Sequence, residues 1–174
     1  MSAAGFILRR SWDPRLAVAV LLLTASIFTG APASAASPPA SAEADGAAIE
    51  ACLGDPSMRG RDPHECGDRV LRSCLASASG GSAVTAALAC EKRREEAWNG
   101  IARQTYHALE SRLGDADRHL LRASQAQFEL DLRDLCAVAH ALGGSDAELA
   151  TASCASDLVA SRALILRRLA GHGD

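Results

Sequence analysis

The 174-residue sequence is poor in the residues that build β-sheets. Aromatic side chains make up only 3% of the chain, and beyond residue 36 it contains four Val, three Ile and three Thr. Strands favour β-branched and aromatic residues, so their scarcity argues against a sheet. Leu and Ala supply most of the apolar content instead, and both favour helix. The composition therefore predicts a single all-α domain.

Strong charge of either sign is also absent. The formal net charge is −3 at pH 7, with 18 Lys and Arg residues against 21 Asp and Glu residues. This balance excludes a protein that holds nucleic acid through overall basicity. The mixed composition likewise excludes a polytopic membrane protein.

Recognisable catalytic motifs are missing as well. The sequence has no glycine-rich phosphate loop, no dinucleotide fingerprint and no Cys-x-x-Cys pair. Its five histidines are scattered, and only His140 lies one helical turn from a cysteine, Cys136. A metal site there is the alternative to a disulfide, but no second close Cys/His pair would complete four ligands. We therefore expect no catalytic residue, no cofactor and no metal, in a protein that is not an enzyme.

The N-terminus has the parts of a secretory signal peptide. Three arginines precede a 13-residue apolar run at 16–28, and Ala33-Ser34-Ala35 suits a cleavage site. We predict a signal peptide over 1–35; an uncleaved anchor is the alternative. Residues 36–46, rich in Ala, Ser and Pro, are predicted to be a flexible leader. The exported chain would carry a net charge of −5, reside in the periplasm or outside the cell, and have no membrane span.

Six cysteines lie beyond the predicted cleavage site: Cys52, Cys66, Cys74, Cys90, Cys136 and Cys154. An even number in a small exported domain is typical of a disulfide framework. A helical hairpin that turns at Gly143-Gly144 would bring Cys136 level with Cys154, and proximity along the chain favours the other pairs. The predicted disulfides are Cys52–Cys66, Cys74–Cys90 and Cys136–Cys154.

Hydrophobic periodicity predicts helices separated by Gly-rich or Pro-rich breaks. Two short helices are expected near 46–53 and 67–77, and a long one from Ser82 to about Leu113. Two more helices are expected before and after Gly143-Gly144. Short connections make the last three helices antiparallel neighbours. The prediction is a small antiparallel helical bundle held by disulfides, with a helical domain over 47–170 and a tail over 171–174.

Side chains that recur at three- and four-residue steps are predicted to face the core: Val84, Leu88, Trp98, Ile101, Thr105, Leu109, Leu113, Leu121, Ser124, Phe128, Leu132, Leu135, Ala139, Leu142, Leu149, Ala152, Ser156, Val159, Ala163 and Leu166, with Leu158, Ile165 and Leu169 widening the stripe of the last helix. Tyr106 is expected to join them. Gln125 is expected either to bridge helices or to be a surface amide. The mixed-charge run 91–96 is predicted to be a solvated face with weak ion pairs. Arg162, Arg167 and Arg168 suit the dipole of the last helix.

Three stretches resemble the LprI-like lysozyme-inhibitor family of bacterial envelopes. They are Cys90-Glu-x6-Trp98-Asn-x6-Tyr106-x2-Leu109, Leu121-Arg-Ala-Ser-Gln125-x2-Phe128-x7-Cys136, and Ala152-Ser-Cys154 with the helix that contains Arg162. The resemblance covers about residues 50–169 and, through the upstream cysteines, looks like a cysteine-rich branch. The chain departs from the family pattern at Asn99, at Ala102-Arg103, and at Arg133-Asp134, which lies one residue nearer to Cys136.

The resemblance implies an exported protein that blocks a muramidase by direct binding, with a c-type lysozyme as the partner. Such an inhibitor needs a preorganised element that enters a cleft holding two carboxylates. The polar loop 54–65 is the predicted element: Arg59, Arg61 and His64 would donate to the carboxylates, and Met58 would supply an apolar contact. The alternatives are a merely solvated connector and, for the whole protein, a non-inhibitory structural or adaptor module of the envelope.

Overall fold

The computed structural model describes residues 41–171, and the regular structure in that range is entirely helical. Its α-helices are α1 (Ala42–Gly54), α2 (Glu65–Ser77), α3 (Ala83–Arg112), α4 (Asp115–Leu142) and α5 (Ala147–Gly171), with 3₁₀ turns at Pro56–Met58 and Gly144–Asp146. The predicted all-α bundle with disulfides is confirmed. The predicted signal peptide, the leader before residue 41 and residues 172–174 lie outside the described residues.

Capping residues explain where α1 and α3 begin. Ser82 caps α3 as predicted, its hydroxyl accepting from the Thr85 amide at 3.1 Å. Ser41 caps α1 in the same way through the Ala44 amide, at 3.2 Å. Acidic residues in the first turn of α1 also favour its N-terminus. The predicted flexible leader over 36–46 is therefore wrong for 42–46, which are helical.

The helices are arranged around α3, which packs against α5 on one side and against α1 and α2 on the other. The antiparallel course of α4 and α5 follows from two contacts: Ser124 bonds to Arg162, and Cys136 bonds to Cys154. α4 has its main packing partner in α5. The α3–α5 pair is therefore the centre of the bundle, and α4 lies outside it.

The core is built from one tryptophan and many small side chains. Trp98 is 1% exposed, and the buried apolar residues around it on α3 and α5 are Ala97, Ile101, Ala102, Leu109, Ala152, Val159, Ala160, Ala163 and Leu166. Tyr106 and Phe128 pack at the edge of this core. The predicted inward positions of the three aromatic residues are therefore confirmed.

The outer helix departs from the predicted pattern. Leu135 is 53% exposed and Leu142 is 82% exposed, although both belong to the predicted inward stripe of α4. The predictions for these two residues are wrong because a helix with one main neighbour buries only a narrow stripe, whereas periodicity alone cannot say how many neighbours a helix has. The predicted inward positions of Val84 on α3 and of Ile165 and Leu169 on α5 are also wrong, since these side chains are 45%, 48% and 54% exposed.

All three predicted disulfides are formed. Cys52–Cys66 links α1 to α2, Cys74–Cys90 links α2 to α3, and Cys136–Cys154 links α4 to α5, with Cα–Cα distances of 5.5–5.7 Å. Each bridge joins two helices that are consecutive along the chain, so all five helices carry at least one covalent link to a neighbour. The framework fits an oxidising compartment.

α5 is long and apolar enough to cross a membrane by length and composition. Val159, Ala163 and Leu166 face the bundle and are at most 1% exposed, whereas Ile165 and Leu169 are 48% and 54% exposed. A core helix passes the same test as a membrane span. Packing against α3 and α4 thus accounts for part of its hydropathy.

Gly67 allows α2 to approach α3. A Cβ built at Gly67 would lie 2.3 Å from Nε1 of Trp98, whereas one built at Gly100 would meet nothing within 4 Å. We predict that Gly67→Ala lowers the free energy of unfolding by about 1–3 kcal/mol through overpacking. Gly100→Ala, the matched control, should raise it by about 0.5–1 kcal/mol. Urea unfolding measures both, and equal effects of the two substitutions would contradict this packing.

The Cys136–Cys154 bridge closes a loop of 18 residues. We predict that replacing both cysteines by Ala lowers the free energy of unfolding by about 3 kcal/mol in the chain-entropy model. Amide hydrogen exchange should rise first in the C-terminal half of α4, where apolar side chains are already exposed. Peptide mapping without reduction checks the pairing, and a Cys90–Cys136 peptide would contradict it.

Candidate functional site

The loop between α1 and α2 is a fixed turn rather than a loose connector. The Cys52–Cys66 bridge closes its base. Within it, the Asp55 carboxylate accepts from the Ser57 amide at 2.8 Å, and the Asp62 carboxylate accepts from the His64 amide at 2.9 Å. These bonds and the 3₁₀ turn satisfy local backbone donors, so the loop is preorganised.

The structure separates the four predicted loop residues. Met58 is only 7% exposed and packs in the core, with the Arg69 guanidinium 3.3 Å from its sulfur. Its predicted role as an apolar contact for a partner is therefore wrong, because the side chain anchors the loop instead. Arg61 is paired with Glu65 on the surface, His64 is half-buried, and Arg59 is exposed.

The run 91–96 is not a solvated face. Arg94 is 6% exposed, and its guanidinium donates to three carboxylates: Asp68 of α2 at 2.8 Å, Asp157 of α5 at 2.7 Å and Glu91 at 3.0 Å. The prediction of weak local ion pairs is wrong here, because Arg94 lies where three helices meet.

Burial changes the pKa of one carboxyl group in this cluster. Desolvation raises the pKa of the Glu91 carboxyl, and the charge of Arg94 opposes that effect. An acid whose pKa is raised in the folded state resists ionisation there, so folding loses stability through Glu91 as the pH rises through its pKa. Arg94 is thus needed to keep this carboxylate in the bundle at neutral pH.

A second buried arginine has no carboxylate partner among residues 41–171. Arg162 is 9% exposed, donates from Nη1 to the Ser124 hydroxyl at 3.0 Å and from Nε to the Gln125 side-chain oxygen at 3.3 Å, and lies 5.6 Å from the Phe128 ring centre. Its Nη2 is buried without a hydrogen-bond partner among the described residues. Burial lowers the pKa of Arg162. The predicted dipole role of Arg162 does not describe this environment, and Gln125 is shown to bridge α4 and α5.

A cavity of about 210 Å³ lies beside Arg162, between α3, α4 and α5. Its lining combines polar and apolar groups: Asn99, Ala102, Arg103, Tyr106, His107, Gln125, Phe128, Val159 and Arg162. Polar groups that converge on a partly apolar cavity are the usual form of a small-ligand site.

The residues of the three family-like stretches meet in this cavity. Tyr106 comes from the first stretch, Gln125 and Phe128 from the second, and Arg162 from the third. Asn99 and Arg103, two departures from the family pattern, also line it. The sequence signal that identified these residues was the resemblance, whereas periodicity assigned most of them to the core or to the surface.

No protein-family model, curated protein or solved structure matches the chain in comparisons with known proteins. Within residues 41–171, no group of three or more His, Cys, Asp or Glu side chains is placed to hold a metal ion.

Arg94 and Arg133 form a matched pair for testing the buried cluster. Arg133 is exposed and pairs with its neighbour Asp134. We predict that Arg94→Met lowers the free energy of unfolding by about 2–4 kcal/mol at pH 7, since it strands the Glu91 carboxylate. Arg133→Met should change it by less than about 0.5 kcal/mol. Urea unfolding at pH 7 distinguishes them, and a tolerated Arg94→Met would show that the cluster does not hold the bundle.

Proposed function

We propose that the protein is an exported, non-enzymatic binding protein that inhibits a lysozyme-type muramidase by direct contact. The observation that carries the proposal is the preorganised loop between α1 and α2, which presents the exposed Arg59 above a disulfide and a buried anchor, Met58. Rigid loops lose little conformational entropy on binding. The resemblance to the LprI-like family supplies the class of partner.

Charge supports an encounter with a basic partner such as a c-type lysozyme. The chain expected after cleavage carries −5, so long-range attraction would speed association and weaken with salt. At short range, by contrast, the positive charges of the loop would attract negative groups of the partner. Arg59 has no ion pair within the part of the chain that the structure describes, so its guanidinium is free to meet a carboxylate in the cleft.

A structural or adaptor role without inhibition is the second candidate function. It is favoured by exposed apolar side chains of α4 and α5, of which Leu135 and Ile165 line the same groove between the two helices. Large apolar side chains exposed near one another often mark contacts with other proteins. A folded protein that leaves lysozyme fully active would support this role instead.

Turbidity assays of c-type lysozyme on bacterial cell walls test the inhibitor proposal. We predict that the oxidised protein inhibits lysis, and that replacing Arg59, Arg61 and His64 together by Ala weakens inhibition at least about tenfold, roughly 1.4 kcal/mol. Arg59→Ala alone should account for most of the loss, because Arg61 is already paired with Glu65.

The matched control replaces two exposed arginines elsewhere, Arg72 and Arg133, by Ala and removes the same number of positive charges. It should leave inhibition almost unchanged. Unchanged inhibition by a folded triple variant would move the binding surface away from the loop. Absence of inhibition by the unaltered protein would overturn the proposed function.

A further inference from the structure

The two buried arginines of the bundle differ in whether a carboxylate balances the charge of the guanidinium. Arg94 donates to three carboxylates, whereas Arg162 has two neutral oxygen acceptors, those of Ser124 and Gln125. No carboxylate among residues 41–171 pairs with Arg162, and its Nη2 is buried without an acceptor. A guanidinium buried in this way has no counter-charge among the described residues, and an anion is the kind of partner that would supply one.

Neighbouring contacts hold the guanidinium in a fixed place. The Phe128 ring lies 5.6 Å from it, and Gln125 donates from Nε2 to Glu129 at 3.1 Å, which turns the Gln125 oxygen towards Arg162. The cavity lined by Arg162 also has a second cation at its exposed rim, Arg103. The charge in the cavity is therefore positive and preorganised.

We propose that this cavity is a binding site for a carboxylate group on a ligand about the size of one amino-acid residue. Charge-assisted hydrogen bonds between a guanidinium and a carboxylate are strong. One negative charge balances the one buried cation. The remaining polar groups, Asn99, Tyr106 and His107, face the same cavity and would bind polar atoms next to the carboxylate.

The size and walls of the cavity define the rest of the ligand. A volume of about 210 Å³ is smaller than that of ordinary drug-sized sites, which suits a small molecule or the end of a longer one. Phe128, Val159 and Ala102 provide apolar wall for a short aliphatic part. The carboxylate can come from a free small acid or from the C-terminus of a peptide. This inference does not rest on the muramidase proposal, which uses another part of the molecule.

The test is an NMR titration of the full oxidised chain with N-acetylglycine and with the peptide N-acetyl-Ala-Ala, each up to about 50 mM. Their C-terminal amides are the neutral controls, and inorganic phosphate tests the class of anion. We expect both acids to shift the side-chain resonances of Arg162, Gln125 and Tyr106, and the amides to leave them unchanged. If N-acetyl-Ala-Ala binds more tightly than N-acetylglycine, the site is one for peptide C-termini. If the two acids bind equally, the site is one for small acids.

Arg162→Gln keeps hydrogen-bonding ability but removes the charge, and should weaken acid binding about thirtyfold or more. Arg72→Ala, an exposed arginine on α2, is the control and should change nothing. Titration of the unaltered protein keeps the test valid if the Arg162 variant fails to fold. Absence of shifts, equal binding of acid and amide, tighter binding of phosphate, or full binding by a folded Arg162→Gln protein would each overturn the proposal.

Discussion

The close packing of α3 against α5 is the contact on which the rest of the structure depends. Both helices bury small side chains, with Ala97 on α3 and Ala160 and Ala163 on α5 at most 2% exposed. Small residues let two helices approach closely, and the large side chains at the edges of such a contact become buried. Trp98 fills one edge beneath Gly67, and the two arginines lie at others. α1, α2 and α4 are then held on this pair by packing and by disulfides.

The two buried arginines beside this contact differ in whether carboxylates balance their charge. Arg94 meets carboxylates from α2, α3 and α5, so its charge ties together the helices that surround it. Within residues 41–171, Arg162 contacts neutral oxygens and an aromatic ring and no carboxylate. A buried charge without a counter-charge opposes folding, whereas the same charge would strengthen the binding of an anion. Groups of this kind are characteristic of binding sites.

The sequence was sufficient to predict the helices and the disulfides, but not the neighbours of each helix. Periodicity located α3, α4 and α5, and the level of Cys136 beside a short turn predicted its partner. Periodicity could not show that α4 has one main neighbour, so Leu142 was wrongly placed inside. It also missed the burial of Arg94, because charged residues are usually exposed and only the convergence of three helices makes such a cluster possible. The Arg162 cavity required side chains from three helices and was invisible in any single stretch.

The stability of an Arg162→Met protein tests most directly whether the bundle buries an uncompensated charge. Its partners Ser124 and Gln125 lie at or near the surface, where water can replace the lost bonds. Methionine would keep the contact with Phe128. Urea unfolding at pH 7 without added carboxylate should therefore give a free energy of unfolding about 1–3 kcal/mol above that of the unaltered protein. A decrease of about 3–5 kcal/mol would show that Arg162 has a buried counter-charge within the protein itself, and would contradict the account.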